Sequence, residues 1–486
     1  MPPSFPQRLF ADVLGAVPEA EVRGDAIIGD VAFDSRDVTP GALFFCVPGA
    51  TADGHDFAAA AIEAGAAALV VERWLDLDVA QAKVPSVRRA MGPVSARAFG
   101  DPASAMTMLG VTGTNGKTTT TYLVEGIVRA AGFRAGVIGT TGARADGQPV
   151  PLVRTTPEAP DLHRLLARMR DAGVEVVAME VSSHALDQDR VGGVRFDAVA
   201  FTNLSQDHLD YHPSMAAYFA AKASVFTPEH AVRGVVNADD PWGRRLLEQP
   251  AIPMATFAID RDADLRATDV VVTREGFEFR LGDLTIRSDL RGRFNVSNVL
   301  AAMSLTRAAN IPDAVAAGGV ETVSEVPGRV EVVDAGQRSL VVVDYAHTPD
   351  SILHVLQAAR PLTSGRLIVV FGCGGDRDRA KRPLMGQAAT ANADLTIITS
   401  DNPRSEDPRA IIAEIEPGAV LGGGEFRVEP DRRAAIRAAL REAGEGDTVV
   451  IAGKGHEDYQ ELAGGTVHFD DREVAREELM AIREDA

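Results

Sequence analysis

Short runs of consecutive hydrophobic residues recur along the chain, and most are followed by a stretch with the spacing of an amphipathic helix. Runs that are hydrophobic at every position are typical of strands buried on both faces, so the pattern predicts parallel sheets covered by helices. The alternation extends over residues 106–329 and starts again at about residue 330. Residues 1–104 carry shorter strand-like runs and an Ala-rich helical stretch. We therefore predict an α/β protein with three domains, at residues 1–104, 105–329 and 330–486.

Polar residues follow the hydrophobic runs where each predicted strand ends. In the central domain these ends lie at residues 139–141, 180–184, 202–208 and 237–240. In the C-terminal domain, which has the alternation of a Rossmann-like fold, they lie at residues 344–350, 372–377, 400–404 and 452–457. Ligands bind outside the carboxyl ends of the strands in open α/β sheets, so we expect one functional edge in each of these two domains.

A glycine-rich stretch lies between the first hydrophobic run of the central domain and a helical pattern. It reads Gly113-Thr114-Asn115-Gly116-Lys117-Thr118-Thr119. In such a loop, backbone N–H groups and the start of the next helix bind phosphate, the lysine reaches the outer phosphates, and a threonine hydroxyl can bind Mg²⁺. Strict Walker spacing would require glycine where Val111 stands. The alternative is a plain turn with a solvated lysine, but the strand–loop–helix context favours an ATP site in a P-loop-like ATPase domain.

Composition narrows the choice of partners. The 486 residues include 69 acidic and 49 basic ones, a net charge of −20, which argues against nucleic acid or an anionic membrane as partner. Cys46 and Cys373 lie far apart and form neither a disulfide pattern nor a zinc motif. The first residues lack the apolar core of a signal peptide, and no run of about 18 apolar residues occurs. We expect a cytoplasmic protein without membrane insertion.

Two strand-end residues are candidate metal ligands. Glu180 offers carboxylate oxygens and His208 an imidazole, at the edge where the Mg²⁺ of a bound nucleotide would lie. Either could instead be an ordinary hydrogen-bonding group of a loop. His208 and His212 have the spacing of a zinc-protease motif, but Leu209 replaces the required glutamate. From the sequence alone, Lys222 in its Ala-rich helical stretch is assigned to a solvated surface.

Two arginines mark the edge of the C-terminal domain. The segment Asp401-Asn402-Pro403-Arg404 combines a turn fixed by Asn-Pro with a guanidinium suited to a carboxylate. Its alternative is an exposed salt bridge. Arg377, in a run of charged residues, is likewise either a carboxylate clamp or part of a solvated cluster. In the N-terminal domain, the turn at residues 34–41 could bind phosphate or sugar, although a solvated turn is the simpler interpretation.

Taken together, these motifs resemble those of the Mur ligases of peptidoglycan synthesis, over essentially the whole chain. The likeness is strongest to the members that add the third residue of the stem peptide. The loop at residues 113–119 is similar to the ATP loop of the family, which accounts for its departure from Walker spacing. The segment at residues 401–404 is similar to that of members that take meso-diaminopimelate. Arg404 gives a physical reason for preferring diaminopimelate to lysine. Lysine lacks the distal carboxylate and would leave a buried guanidinium unpaired.

The resemblance implies roles for individual residues. The UDP-linked substrate would be bound by Ser35, Ala50, Thr51, Ala52, Thr155, Thr156, Ser182, Gln188 and Arg190. ATP would be bound by residues 113–119 together with Asn298, Arg329 and Asp344. The incoming amino acid would be bound by Arg377, Asp401, Asn402, Pro403, Arg404, Gly453 and Glu457. The catalytic group would be Lys117, Glu180, His208 and Lys222, with Mg²⁺ held by Thr118, Glu180, His208 and a carbamylated Lys222.

The implied activity is ATP-dependent amide ligation through an acyl phosphate. It would join meso-diaminopimelate to UDP-N-acetylmuramoyl-L-alanyl-D-glutamate, with Mg²⁺ as cofactor and ATP as co-substrate, in a protein expected to be monomeric. Because the ATP loop and the amino-acid motif lie in different domains, we expect hinge closure near residue 330. The alternatives are a ligase of this type that adds L-lysine, a folylpolyglutamate synthetase-like ligase and, in another class, a nucleotide-binding module or small-molecule kinase.

Overall fold

The structure is a computed structural model that describes residues 7–49, 52–150, 152, 154–273 and 275–484. Its N-terminal part contains a sheet of order β2-β7-β6-β5-β4, parallel except for β2, and a small antiparallel pair β1-β3. The strands are β1 (Arg8–Leu9), β2 (Glu21–Arg23), β3 (Ile27–Ile28), β4 (Asp30–Ala32), β5 (Ala42–Phe45), β6 (Ala68–Val71) and β7 (Ala80–Lys83). The helices are α1 (Phe10–Leu14), α2 (Ala58–Glu63) and α3 (Val87–Ala98).

The central part is built on a larger sheet of order β11-β10-β9-β12-β8-β13-β14-β15-β16, parallel except for β10, which pairs antiparallel with both β9 and β11. Its strands are β8 (Thr107–Thr112), β9 (Ala135–Gly139), β10 (Gly142–Ala145), β11 (Gln148–Val150), β12 (Val176–Glu180), β13 (Ala198–Phe201), β14 (Gly234–Asn237), β15 (Met254–Ala258) and β16 (Leu265–Arg266). The helices are α4 (Lys117–Ala130), α5 (Ala159–Asp171), α6 (Ser183–Asp187), α7 (Met215–Ala223), α8 (Pro241–Leu246), α9 (Phe294–Thr306) and α10 (Asp313–Glu321).

Both faces of this central sheet are buried. Leu109 and Val111 of β8 pack in one hydrophobic cluster with α4 and α9, and Met108 packs in a second cluster with α5. This two-sided burial explains why the strands read as continuous hydrophobic runs. The parallel α/β fold predicted from the sequence is therefore confirmed.

An antiparallel sheet that the strand–helix alternation did not predict follows β16. Its strands are β17 (Thr268–Val272), β18 (Phe277–Leu281) and β19 (Leu284–Ser288). In β18, Phe277 and Phe279 are buried and Glu278 between them is exposed. This alternation is the signature of a sheet with one face in water, whereas the parallel strands beside it are buried on both faces.

The C-terminal part has a sheet of order β20-β21-β25-β22-β23-β24, parallel except for β20, and a separate antiparallel hairpin β26-β27. The strands are β20 (Glu331–Val332), β21 (Leu340–Asp344), β22 (Leu367–Phe371), β23 (Leu395–Ile398), β24 (Glu425–Val428), β25 (Thr448–Ala452), β26 (Tyr459–Leu462) and β27 (Gly465–His468). The helices are α11 (Pro349–Ala359), α12 (Lys381–Asn392), α13 (Pro408–Gly422), α14 (Arg432–Glu442) and α15 (Asp471–Glu484). Among the helices in the described ranges, none is both long and apolar enough to cross a membrane.

Candidate active site

The glycine-rich loop joins β8 to α4 at the carboxyl edge of the central sheet. Gly113 and Gly116 have φ of +147° and +86°. A β-carbon would lie 1.9 Å from the Thr202 hydroxyl at the first position and 2.3 Å from Asn298 Oδ1 at the second. Only glycine fits both positions. Since α4 begins at Lys117 without a side-chain N-cap, no capping side chain accepts the first N–H groups of the helix, and a helix start of this kind can bind an anion.

Thr202 and Asn203, at the end of the neighbouring strand β13, hold this loop in place. The Asn203 carbonyl and Oδ1 accept the N–H groups of Thr114 and Asn115, both at 2.9 Å. The Thr202 hydroxyl donates to the Asn115 carbonyl at 2.7 Å. Sequence analysis placed this pair at a strand end and gave it no role. The order of strands in the sheet, with β13 beside β8, brings the pair to the loop.

Lys117 is folded back over its own loop. Its Nζ donates to the carbonyl oxygens of Gly113 and Thr114 at 3.0 and 2.8 Å. Burial lowers the pKa of Lys117, opposed by the charge of Glu180 and assisted by Arg329. The lysine, the carboxylate and the arginine therefore share one electrostatic environment around the loop.

Glu180 ends β12, on the other side of β8, and is 1% exposed. Its Oε1 accepts the Thr140 N–H and its Oε2 the Thr140 hydroxyl, both at 2.9 Å. The Thr140 hydroxyl also lies 3.2 Å from Thr155 Oγ1. The ends of β9 and β12 therefore meet at this carboxylate, together with the loop before α5, as expected for ligand-binding groups at one edge of a parallel sheet.

Lys222 is 1% exposed, so its sequence-based assignment to a solvated surface is wrong. Its Nζ donates to the Gly113 carbonyl at 2.8 Å and lies 4.7 Å from the centre of the Tyr218 ring. Burial, helped by the charge of Lys117, lowers the pKa of Lys222 well below its usual range. The Ala-rich sequence of α7 could not show this burial, because the covering surface is the phosphate loop more than a hundred residues earlier.

His208 lies beside the same loop, in the left-handed region with φ of +55°. Its ring centre is 4.8 Å from that of His184 and 6.1 Å from that of Tyr218. Burial lowers the pKa of His208, opposed by Asp207, so the imidazole is neutral near pH 7 and has a free nitrogen lone pair. Within the described residues, no three His, Cys, Asp or Glu side chains cluster closely enough to form a metal site by themselves.

Of the residues expected to seat ATP, two lie against the loop. Asn298, on α9, faces Gly116 and donates to Asn295 Oδ1 at 2.8 Å. Arg329 donates to the Thr118 hydroxyl at 3.0 Å. Asp344 has a different environment, because its oxygens accept the N–H groups of Val330 and Ala346, both at 2.8 Å. Asp344 therefore holds the segment that connects the central and C-terminal sheets.

The residues expected to bind the sugar–dipeptide cluster after β12. The Thr156 hydroxyl donates to the Glu180 carbonyl at 2.8 Å and accepts the Ser182 N–H at 3.2 Å. Arg190 donates to Gln188 Oε1 at 2.6 Å and to the Thr156 carbonyl at 3.3 Å. Ser35 lies elsewhere, in a short 3₁₀ turn after β4, and Ala52 is exposed in its own loop. Ala50 and Thr51 lie outside the described residues.

A carboxylate surrounded by three arginines borders this cluster. Glu158, 4% exposed, lies 2.6 Å from Arg88, 3.1 Å from Arg154 and 3.0 Å from Arg190. One negative charge cannot neutralise three guanidinium groups, so the cluster is locally positive although the chain carries a net charge of −20. Sequence analysis missed this cluster, because its members come from the N-terminal and central domains.

Most of the residues expected to bind the incoming amino acid lie at the carboxyl ends of β23 and β25. The Asn402 amide donates to Glu457 Oε2 at 2.9 Å. Gly453, with φ of +120°, leaves room for Asp401, since a β-carbon there would lie 2.4 Å from Asp401 Oδ2. Arg404 lies over Gly374 and Gly375 and donates to the Gly375 carbonyl at 2.9 Å. The turn that contains Pro403 is packed against this glycine pair.

The segment of Arg377 lies beside this region, but its side chain is exposed. The Arg377 guanidinium donates to the Asp376 carbonyl at 2.8 Å. The preceding residue, Asp376, accepts a hydrogen bond from the Ser405 hydroxyl at 2.8 Å, which links the segment of Arg377 to the segment of Arg404.

Contacts between the two functional edges join the central and C-terminal sheets. The Asn115 amide donates to Asp350 Oδ2 at 2.9 Å. Lys381, at the start of α12, lies 3.4 Å from Asp207 Oδ1, and both side chains are buried. His347 lies 3.8 Å from the other oxygen of Asp207. Sequence analysis gave Asp207 and Lys381 no role. These contacts bring the edge of the central sheet that carries the glycine-rich loop to the starts of α11 and α12 in the C-terminal part.

Comparison with known proteins accounts for this arrangement. Three family domains match successive parts of the chain: "Mur ligase family, catalytic domain" at residues 28–99, "Mur ligase middle domain" at 111–306 and "Mur ligase, glutamate ligase domain" at 328–455. The UDP-N-acetylmuramoyl-L-alanyl-D-glutamate--2,6-diaminopimelate ligase of Geobacillus thermodenitrificans is 48% identical over 467 residues, 93% of this chain and 95% of the relative. The chain belongs to the Mur ligase family.

Solved Mur ligase structures are similar throughout. One described as a UDP-N-acetylmuramoyl-L-alanyl-D-glutamate--2,6-diaminopimelate ligase is 34% identical, with a TM-score of 0.68 over 99% of this chain and 100% of that one. A folylpolyglutamate synthase of Mycobacterium tuberculosis, complexed with ADP and AMPPCP, is 19% identical with a TM-score of 0.62 and covers 75% of this chain and 92% of its own length. This second likeness shows the fold alone.

Proposed function

We propose that the chain is an ATP-dependent amide ligase that adds meso-diaminopimelate to UDP-N-acetylmuramoyl-L-alanyl-D-glutamate. The observation that carries the proposal is that contacts of Asn115 and Asp207 bring the glycine-rich loop against the C-terminal part, which holds the proposed amino-acid site. The named activity of relatives that match over nearly the full chain supports the same choice. The domains would be residues 1–104 for the UDP-substrate, 105–329 for ATP and 330–486 for the amino acid.

The reaction has two steps. The terminal carboxylate of the dipeptide attacks the γ-phosphorus of ATP, which gives an acyl phosphate and ADP. The amine of diaminopimelate then attacks the acyl carbon, and inorganic phosphate leaves as the amide forms. The ammonium of Lys117 and the N–H groups at the start of α4 would stabilise the negative charge on the transferred phosphoryl oxygens.

Mg²⁺ would be held by Thr118, Glu180 and His208, which supply a hydroxyl, a carboxylate and a neutral imidazole around one loop. When bound, the ion would neutralise charge on the phosphates. The donor set is short of anionic ligands, and a carbamate on Lys222 would supply one. An uncharged, buried amine can form a carbamate with carbon dioxide, releasing one proton, and the lowered pKa of Lys222 favours that amine.

The other residue roles follow from position. Asn298 and Arg329 would contact ATP directly at the loop, and Asp344 would act by holding the segment at Val330. Thr155, Thr156, Ser182, Gln188 and Arg190 would bind the sugar–dipeptide. Ser35 and the loop with Ala52 would bind the uridine nucleotide, and the positive cluster at Glu158 suits the anionic charge of that substrate.

The charged groups of the amino-acid site suit a substrate with a distal zwitterion. Arg404, with Arg377 near it, would bind the distal carboxylate of diaminopimelate, and Asp401 and Glu457 would bind its ammonium group. L-lysine lacks that carboxylate and would leave Arg404 without its partner.

We further propose that the domains open and close about residues 328–330 in a monomeric, cytoplasmic enzyme. Gly328 and Val330 both have positive φ, +67° and +50°. Such a conformation is rare for a β-branched residue and is typical of segments under conformational constraint.

One assay tests the function. The protein is incubated with ATP, Mg²⁺, the UDP-linked dipeptide and either meso-diaminopimelate or L-lysine, and phosphate and product mass are measured. We expect the amide product with meso-diaminopimelate. Product with lysine alone would contradict the specificity, and phosphate release without amide formation would indicate a kinase or nucleotide-binding module instead of a ligase.

A further inference from the structure

The hairpin β26-β27 lies directly against the segment Asp401–Arg404, which is proposed to bind the amino acid. Along its first strand, the Gln460 amide donates to the Asp401 carbonyl at 2.6 Å, and the Glu461 N–H donates to Asn402 Oδ1 at 3.0 Å. The Arg404 N–H donates to the Glu461 carbonyl at 3.0 Å, and the Arg404 guanidinium lies 2.7 Å from Glu461 Oε2. Successive residues of the hairpin thus bind successive residues of the loop.

Lys454 connects the hairpin to the loop at residues 401–404. It is fully buried, and its Nζ donates to Asn402 Oδ1 at 3.1 Å, to Glu457 Oε2 at 3.3 Å and to the Tyr459 carbonyl. One ammonium therefore connects the loop residue Asn402, the carboxylate of Glu457 and the first residue of β26. Burying a lysine is costly unless its donors are all satisfied, and this one has three oxygen partners and lies 5.3 Å from the Tyr459 ring centre.

The hairpin lies just beyond the segment that matches the glutamate ligase domain of the family. The matched family domain ends at residue 455, and β26 begins at Tyr459. Members of the family that join different amino acids need different groups at this site, whereas the sheet beneath can stay the same. A hairpin appended to the shared sheet is suited to carry that difference.

We propose that the β26-β27 hairpin, anchored by Lys454, is a specificity element that holds the loop at residues 401–404 in the geometry that accepts an amino acid with a distal zwitterionic group. The inference rests on the proposed function, since it concerns the same amino-acid site. Lys454 is a positioning residue in it: the ammonium orients the Asn402 amide, which donates to Glu457, and compensates the charge of Glu457. Arg404 is oriented by Glu461 on one side and the Gly375 carbonyl on the other.

The charges around Glu457 make the role of Lys454 measurable. Burial raises the pKa of Glu457, the neighbouring Asp401 raises it further, and Lys454 opposes both. Tyr345, Tyr459 and Arg432 are the other titratable groups that face it. Removing the ammonium of Lys454 leaves the carboxylates of Glu457 and Asp401 without a compensating positive charge. The pKa of Glu457 therefore rises. Ionised Glu457 is proposed to bind the substrate ammonium, so KM for diaminopimelate should rise as the solution is acidified. Without the Lys454 ammonium, this rise should begin at a higher pH than in the wild type.

The test compares Lys454→Met with Val467→Ala, an exposed change on the outer strand of the hairpin. For Lys454→Met we expect KM for meso-diaminopimelate to rise at least tenfold and the preference over L-lysine to fall, with the acidic limb of the KM profile shifted to higher pH. Exchange of label between ADP and ATP in the presence of the UDP-linked dipeptide alone, which needs no amino acid, should stay within twofold of the wild type. The Val467→Ala protein should match the wild type throughout.

A second variant covers the case in which Lys454→Met does not fold. Gln460→Ala removes one partly buried donor to the Asp401 carbonyl, and we expect a several-fold rise in KM for meso-diaminopimelate only. Unchanged KM, preference and pH profile in the folded variants would overturn the inference, as would equal losses in amino-acid use and in ADP–ATP exchange. A wild-type protein that forms no amide with diaminopimelate would instead overturn the proposed function, which makes the two failures distinguishable.

Discussion

At the scale of single residues, the site combines groups whose chemistry depends on burial. Lys222 and Glu180 are each 1% exposed, and each is held by hydrogen bonds to neighbouring strand ends or loops. The same side chains in water would be an ordinary cation and an ordinary anion. Burial lowers the pKa of the lysine and so favours its neutral amine form, and hydrogen bonds from Thr140 orient the carboxylate.

The first prediction at this scale concerns Lys222. Proton-decoupled NMR of the protein in ¹³C-labelled bicarbonate should give one carbamate resonance that is absent from Lys222→Ala. The reason is that a buried amine with a lowered pKa is the form that reacts with carbon dioxide. We expect Lys222→Ala to lose at least a hundredfold in kcat. A wild-type spectrum without the carbamate signal would contradict the modification.

The second prediction concerns Arg404. Replacement by alanine removes the guanidinium proposed to bind the distal carboxylate, and a hydrogen bond to a charged group contributes about 1.5–3 kcal/mol. We therefore expect KM for meso-diaminopimelate to rise about 10- to 100-fold while KM for ATP stays the same. Arg427→Ala is the matched control, because Arg427 forms an exposed ion pair with Glu425 at the sheet edge. Equal effects on both substrates would indicate a structural role for Arg404.

At the scale of secondary-structure elements, α4 lies between two glycines with nearly the same backbone conformation. Gly116 precedes the helix with φ of +86°, and Gly132 follows it with φ of +85°. They differ in their surroundings: a β-carbon at Gly116 would lie 2.3 Å from Asn298 Oδ1, whereas one at Gly132 has no atom within 4 Å. Backbone strain and a clash at the ATP loop can therefore be separated.

Gly116→Ala and Gly132→Ala make that separation. Both place a side chain in the left-handed region, at a cost of about 1–2 kcal/mol, so both should lower the melting temperature by similar amounts. Only Gly116→Ala displaces Asn298 and the phosphate loop, and we expect it to weaken binding of a non-hydrolysable ATP analogue at least tenfold, as measured by titration calorimetry. Equal binding by the two variants would show that the clash is relieved without moving the loop.

At the scale of the whole molecule, the proposed reaction would use groups from two sheets on opposite sides of a cleft. Polar contacts between them include Lys381 beside Asp207 and Asn115 beside Asp350. Polar interfaces of this kind between domains are compatible with relative motion. Asp207 is adjacent to His208, so closure of the cleft also brings a cation to the proposed metal-binding loop.

Lys381→Met should favour the open arrangement. Loss of the cation leaves the buried Asp207 carboxylate without its lysine partner, and leaving a buried charge uncompensated is strongly destabilising. With fluorophores on the central and C-terminal domains, we expect a smaller change in energy transfer on addition of ATP analogue and substrates than in the wild type, and a fall in kcat of at least tenfold. Arg338→Met, which disrupts an exposed pair with Glu445, is the control. A change in energy transfer in Lys381→Met equal to that of the wild type would show that the Lys381–Asp207 pair does not stabilise the closed arrangement.

The sequence pattern could predict those features of the molecule that depend on residues close together in the chain. Hydrophobic runs predicted the parallel sheets, and the residues that follow β8, β12 and β23 were recognised because strand ends bind ligands. The antiparallel strands β17, β18 and β19 were missed, since their alternation is short and lies within a region dominated by buried strands.

Contacts between distant segments required the tertiary structure. Lys222 is buried by the loop at Gly113. Asn402 is held by Lys454, and Asp207 is paired with Lys381 of another domain. In the sequence each lysine has only its own neighbours, and those neighbours are compatible with a solvated side chain. Whether a charge is exposed, neutralised or shifted in pKa is decided by the groups that folding places around it, and those groups come from elsewhere in the chain.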